Sequence, residues 1–179
     1  MDARSLDFAR QCHRRPSRCS CRSQEQAGFQ CKHCQAHVST AVSLSAVQNR
    51  NHCPYCLWSR HLDWLEPGDR LSACKSPMRP IGLTVKATRN KYGPGGGELM
   101  LIHVCVECEK LSINRIAADD DPDKIYAVFE TSLRFGALSK NRLEADGIKA
   151  LEAGEEGLVR AQLFGREAVI RPALSILVD

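Results

Sequence analysis

Two Cys-x-x-Cys pairs, Cys31-Lys-His-Cys34 and Cys53-Pro-Tyr-Cys56, are separated by 18 residues. Zinc prefers four ligands in a tetrahedron, and a Cys-x-x-Cys turn brings two sulfurs to one ion. Two such turns at this separation read as a closed four-cysteine site of the zinc-ribbon kind. A redox dithiol is the competing chemistry. It would place one pair on a βαβ unit, whereas this chain has three pairs and no such pattern. The third pair, Cys105-Val-Glu-Cys108, together with Cys74, supplies three sulfurs of a second site. Its fourth ligand is open: His61, 13 residues before Cys74, is the first choice, followed by His52, His103 and Asp63. His52 also suits an outer role, its ring N–H orienting a ligand or a carboxylate. His33 and His37 are expected to face solvent around the first knuckle. Cys12, Cys19 and Cys21 have spacings that fit no standard knuckle and read as free thiols. The expectation is two zinc ions, with catalysis assigned to no residue.

The rest of the composition decides how these cysteines are read. In 179 residues, 43% of them hydrophobic, no stretch approaches the roughly 18 apolar residues of a membrane span, and the first thirty contain no run of signal-peptide length. A soluble, cytoplasmic protein is therefore expected, with no membrane partner, and a reducing compartment leaves thiols free for metal. Up to Lys110 there are 16 Lys/Arg against 9 Asp/Glu, about +7; after it, 9 against 12, about −3. The basic part contains every cysteine and points to an anionic partner, nucleic acid being the commonest.

The elements that must position the ligands follow from pattern. Residues 1–26 are Arg-, Ser- and Gln-rich without periodicity and read as a basic flexible arm. Residues 27–120 have short apolar runs broken by Pro and Gly, as expected of small β-elements and knuckles. One hairpin is legible, from alternating Ile81, Leu83, Val85 and Ala87 through Tyr92–Gly97 to Leu99–Val104, and its return strand delivers Cys105 and Cys108. Residues 121–179 change character. Pro122 suits a first helical position, and Ile125, Val128, Phe129 and Leu133 mark one face of a helix over about 122–135. Shorter helices are expected near 140–151 and 155–164. The fold class is α+β, a small β-rich double zinc-binding module, zinc-ribbon-like, followed by a short helical C-terminal segment.

Arg50-Asn51-His52-Cys53-Pro54 spells the motif that names the RNHCP domain family, and the surrounding residues agree. Phe29-Gln-Cys31-x-x-Cys34 resembles its opening knuckle. Further likenesses are Leu57-Trp-Ser-Arg-His61-Leu-Asp63, Pro67-Gly68-Asp69-Arg70, Cys74 with Met78 and Pro80, His103 to Cys108, and Asn114-Arg115 with Asp119-Asp120. The resemblance covers about residues 29–121 and implies a metal-binding module without assigning an activity. One departure is visible: the family tends to have a basic residue before the first cysteine of the last pair and Gly after the second, where this chain has Val104 and Glu109.

A closed structural zinc site does no chemistry itself, so function is sought on the surface it fixes. Lys32, Arg50, Arg60, Arg70, Arg79, Lys86 and Arg89 are the candidate nucleic-acid contacts, with Tyr55, Trp58 and Trp64 available for stacking. Basic residues beside aromatic rings suit single-stranded backbone and unpaired bases, hence RNA, in a ribosome or translation setting. Asn51 and Asn114 are expected to bond turns, and the acidic run at 119–121 to cap the helix. Two rival classes stand beside this reading. A protein-interaction adaptor would dock its partner through the C-terminal helices. A zinc-dependent hydrolase or nuclease would use the second site, or Asn51 and His52 with Asp119 and Asp120. The zinc deaminase signature is absent, since no His-x-Glu occurs and Pro54 follows the first cysteine of its pair.

Overall fold

Residues 28–87 and 97–165 are described by the structure, a computed structural model. The basic arm with Cys12, Cys19 and Cys21, most of the Tyr92–Gly97 turn with Arg89, and the tail beyond 165 lie outside the described residues.

Two antiparallel sheets form among the described residues. In the small one, β1 (Gly28–Gln30) pairs with β2 (His37–Ser39), Phe29 facing Val38. Its core is slight: Cys31, Val38 and Cys53 are buried, with Phe29 and Cys56 against them. A single helical turn, α1 (Val42–Ser45), follows. The larger sheet has the order β3 (Ser59–Arg60), β4 (Pro77–Lys86), β5 (Glu98–Cys105), β6 (Leu111–Arg115). The hairpin expected from alternation is β4–β5, with Leu83 opposite Leu101 and Val85 opposite Leu99. Proline cannot donate to a ladder, and the β4–β5 register shifts between Pro80 and Gly82.

Side chains alternate across a strand, and both faces of this sheet are covered. Leu99 and Leu101 join Leu57, Leu83, Ile125, Phe129, Leu151 and Val159 in one cluster. Ile102, of opposite phase to Leu101, joins Leu111 and Leu143 in another, flanked by Ile81, Ile113 and Phe135. The helical segment supplies both covers and so packs on the β-rich part.

Helix α2 (Pro122–Ser132) begins where the sequence places it. Asp121 caps it, accepting from the amides of Asp123 and Lys124, and Pro122 occupies the first turn, where its missing N–H costs nothing. Ile125 and Phe129, one turn apart, are buried against β4. A Cβ on Gly82 would stand 3.1 Å from Ser132 Cβ, so a glycine at this point of β4 lets the helix close on the strand. Leu133, expected on the buried face, lies past the last helical residue and is exposed.

The next helix is shifted. α3 spans Ala137–Ala145, and the chain turns at Gly147, whose φ of +71° favours glycine. Ile148 and Leu151, read from sequence as helical, instead lie past α3 outside any helix or strand, where the Leu151 amide donates to the Leu83 carbonyl. α4 (Glu156–Phe164) matches the third expected helix and buries Val159.

Candidate metal centres

The three Cys-x-x-Cys turns share one backbone design. The amide of the first cysteine donates five residues ahead, Cys31 to Ala36, Cys53 to Trp58 and Cys105 to Lys110, at 2.9 Å in each. The residue after the second cysteine returns its amide to the first cysteine's carbonyl, as Gln35, Leu57 and Glu109 do. That residue is left-handed in every knuckle, with φ of 62°, 62° and 59°. Such a turn aims two sulfurs to one side, and at Glu109 it explains why glycine is favoured at that position.

The first two knuckles face each other. Cys31 Sγ lies 3.6 Å from Cys56 Sγ, and Cys34 Sγ 3.6 Å from Cys53 Sγ. All are free thiols, and the four sulfurs lie within 4.8 Å of one another. Tetrahedral Zn–S bonds of about 2.3 Å separate sulfurs by about 3.8 Å, so the donor set fits zinc. Cys53 and Cys56 are raised by burial, Cys53 to about 11, while the amide of Ala36 draws the exposed Cys34 thiol down to about 7. Metal binding here must expel protons from the buried pair and weakens as pH falls.

The second centre gathers His61, Cys74, Cys105 and Cys108, again with donor atoms within 4.8 Å of one another. Cys74 Sγ is 3.6 Å from Cys105 Sγ, and His61 Nδ1 is 3.2 Å from Cys108 Sγ. Hydrogen bonds from Ser76, its hydroxyl first and then its amide, lower Cys74 to about 6. The three other candidates for the fourth corner are engaged elsewhere. His52 Nε2 bonds Asp120 Oδ2 at 2.7 Å, as expected of an imidazole orienting a carboxylate. His103 Nε2 donates to the Leu57 carbonyl at 2.7 Å, and its Nδ1 accepts from Asn114 Nδ2 at 2.9 Å. Burial pushes His103 down to about 3, consistent with this neutral tautomer. Asp63 Oδ1 accepts from the Arg70 amide. His61→Ala is therefore expected to lower zinc from two ions per chain to one by atomic absorption, while His52→Ala and His103→Ala protein that remains folded keeps two.

The candidate nucleic-acid contacts separate into surface and interior. Lys32 is exposed on the first knuckle, and Arg79 and Lys86 are exposed on β4. Arg60 is half-buried, its Nε donating to the Lys75 carbonyl at 3.1 Å. Arg70 is half-buried with Nε 3.9 Å from Asp63 Oδ1. Arg50 is not on the surface. Its guanidinium is fully buried, with Nη1 donating to both Asp119 oxygens at 2.7 Å, Nη2 to Asp120 Oδ1 at 3.0 Å, and Nε to the His52 carbonyl. Asp120 Oδ2 also accepts from the Ala117 amide. The acidic run therefore has two uses: Asp121 caps α2, while Asp119 and Asp120 clamp the first zinc lobe to the sheet. With the Asp120 and His52 side chains almost wholly enclosed, this cluster offers no opening for a substrate.

Two surface features escaped sequence reasoning. The His33 and Trp58 rings stack at 4.1 Å and 6°, linking the first knuckle to the second residue after the second knuckle. The loop from 62 to 71 is tied by one carboxylate: Asp69 accepts from the amides of Trp64, Leu65, Glu66 and Leu71, which holds its carboxyl well below the ordinary range. Pro67-Gly68-Asp69-Arg70 entered the sequence reading only as a family likeness, and which amides Asp69 collects depends on the folded loop. Asn51 bonds its surroundings through its backbone carbonyl, and its side chain does not close the turn as expected.

The RNHCP domain model matches residues 26–126 of this chain. No curated protein and no solved structure matches it. No helix among the described residues is long and apolar enough to cross a membrane.

Proposed function

Because the chain belongs to the RNHCP domain family, and its two centres serve as zinc-binding scaffold, we propose that it is a non-catalytic RNA-binding module acting in a ribosome or translation setting. The observation that carries this reading is that neither tryptophan is used as core. Trp58 is half-buried and stacked flat on exposed His33, Tyr55 is exposed on the facing knuckle, and Trp64 is exposed on the Asp69-tied loop. Rings held rigidly at the surface offer unpaired bases a stacking platform at little entropic cost. Lys32 stands exposed next to His33, supplying charge for the backbone.

The adaptor alternative draws less support. Among the described side chains, Ile125 and Phe129 of α2, Leu143 of α3 and Val159 of α4 are used in covering the sheet, and Phe164 at the end of α4 is the exposed large apolar residue within these helices. For a hydrolase, the second centre would need a water-filled corner, and His61 stands in that place.

Fluorescence anisotropy with single-stranded RNA tests the proposal. Binding is expected at low salt and should weaken steeply as salt rises. Lys32→Ala should flatten the slope of log K against log salt by about one, the value for a single phosphate. Trp58→Ala should weaken binding by about tenfold, as for the removal of one base stack. Absence of binding to ribosomal, transfer or homopolymeric RNA at low salt would rule the reading out.

A further inference from the structure

Beside the second metal centre is a cavity of about 200 Å³. It lies between residues 61–67 and the sheet, where Met78 of β4 and Ser112 and Asn114 of β6 form part of its lining. Asn51 and His61 line it too, and both are at least nine-tenths buried. It is smaller than the roughly 300–1,000 Å³ of pockets for drug-sized ligands, and suits one ring system.

Its polar groups are incompletely used. The Nδ1 of His61 faces the sulfurs of the metal centre, and its Nε2, buried without a partner, is enclosed in the wall and does not open into the cavity. The Asn51 side-chain amide, with a donor and an acceptor side by side, makes no hydrogen bond among the described residues. Asn114 uses Nδ2 on His103 and keeps Oδ1 as a spare acceptor. The accessible Asn51 amide and the spare Asn114 oxygen therefore leave hydrogen-bonding capacity around one cavity, which suits a polar ligand.

The rim has a different chemistry. Trp64 is about half exposed, and the Lys110 ammonium lies 5.2 Å from its ring centre while bonding its backbone carbonyl. Asp69 holds the Trp64 loop through four amides, so this wall is formed before any ligand arrives. A planar group entering here meets paired donors and acceptors inside, an aromatic ring at the mouth, and a cation beside it.

We propose that this cavity takes one unpaired nucleobase of a single-stranded RNA, with Asn51 and Asn114 reading its edge, Trp64 stacking on it and Lys110 facing the adjacent phosphate. The edge of a base presents alternating donors and acceptors that an Asn amide can match in pairs, and single-stranded RNA is read in this way when a base is splayed from the strand. This inference rests on the RNA-binding reading and adds a base-specific site to the non-specific platform around His33 and Trp58. A peptide carbonyl could also meet Asn51, but it would not draw on the ring-and-cation rim.

The test uses the full zinc-loaded chain with six-nucleotide homopolymers of each base and a six-unit abasic RNA. Trp64 emission is followed in a Trp58→Phe background. The expected result is quenching by at least one homopolymer and none by the abasic strand. Asn51→Ala should lower affinity for the preferred homopolymer by about tenfold, as for one bidentate pair removed, and leave affinity for the abasic strand unchanged. Trp64→Ala, which alters an exposed side chain, should reduce the same preference if Asn51→Ala fails to retain two zincs. If homopolymers and the abasic strand bind wild type and both variants alike, the cavity is not a base site, although RNA binding stands. If no RNA binds wild type at low salt, the RNA-binding reading fails and takes the base site with it.

Discussion

Cys53→Ser is expected to unfold the lobe around the first centre while leaving the four-stranded sheet in place. The reason is how little else that lobe contains. Of its three buried core residues, Cys31 and Cys53 are themselves metal ligands, and β1 and β2 are three residues each. An isolated two-stranded hairpin is marginal at best in water, and a small metallo-domain draws its folding energy from the ion. Structural zinc contributes about 10–16 kcal/mol in finger peptides near neutral pH, far more than this cluster could supply by burial. Zinc should fall to one ion per chain, and amide protection should vanish over β1 and β2 while residues of β4 and β5 keep theirs. Loss of the second metal should have the opposite profile. Cys105 lies at the end of β5, whose Leu99, Leu101 and Ile102 belong to two larger clusters, so Cys108→Ser should loosen the knuckle and the Trp64 loop without unfolding the sheet. Equal collapse of both parts in either variant would show that the centres are not independent.

The second large effect is expected at Asp120. Its two oxygens accept from Arg50, His52 and the Ala117 amide in a site closed to water. Asp120→Asn keeps the shape but turns an NH₂ group toward donors and leaves the Arg50 charge short of one counter-charge. Removing one partner of a buried ion pair costs about 3–5 kcal/mol, much of it from the charge left behind. The midpoint of urea unfolding should fall accordingly with the slope unchanged. Asp119→Ala should cost less, because that carboxylate is about a third exposed and water can take its place on Nη1. A shift at Asp120 no greater than at Asp119 would mean that the clamp contributes little beyond surface pairing.

Chemical necessity made the ligand set of the first centre legible from residue spacing. A Cys-x-x-Cys turn has few ways to fold around a tetrahedral ion, so Cys31, Cys34, Cys53 and Cys56 could be grouped without knowing any long-range contact. The hairpin and α2 were equally plain, because alternation and the Asp-Pro start are local signals. Three-dimensional proximity decided the rest. Position along the chain ranked His61 first without excluding His52 or His103, and the three become distinct only when the fold brings Asp120 to His52, Leu57 and Asn114 to His103, and three sulfurs to His61.

The same reason accounts for Arg50. In sequence it is one more cation in a basic stretch; in the fold it faces Asp119 and Asp120, about seventy residues away along the chain, and is removed from any surface. Local backbone chemistry let the sequence by itself determine that this is a zinc-knuckle chain with a hairpin and a capped helix. Long-range pairing, which only the tertiary structure supplies, decided which histidine completes the second centre, which basic residues remain exposed, and that Asn51 and Asn114 meet at one cavity.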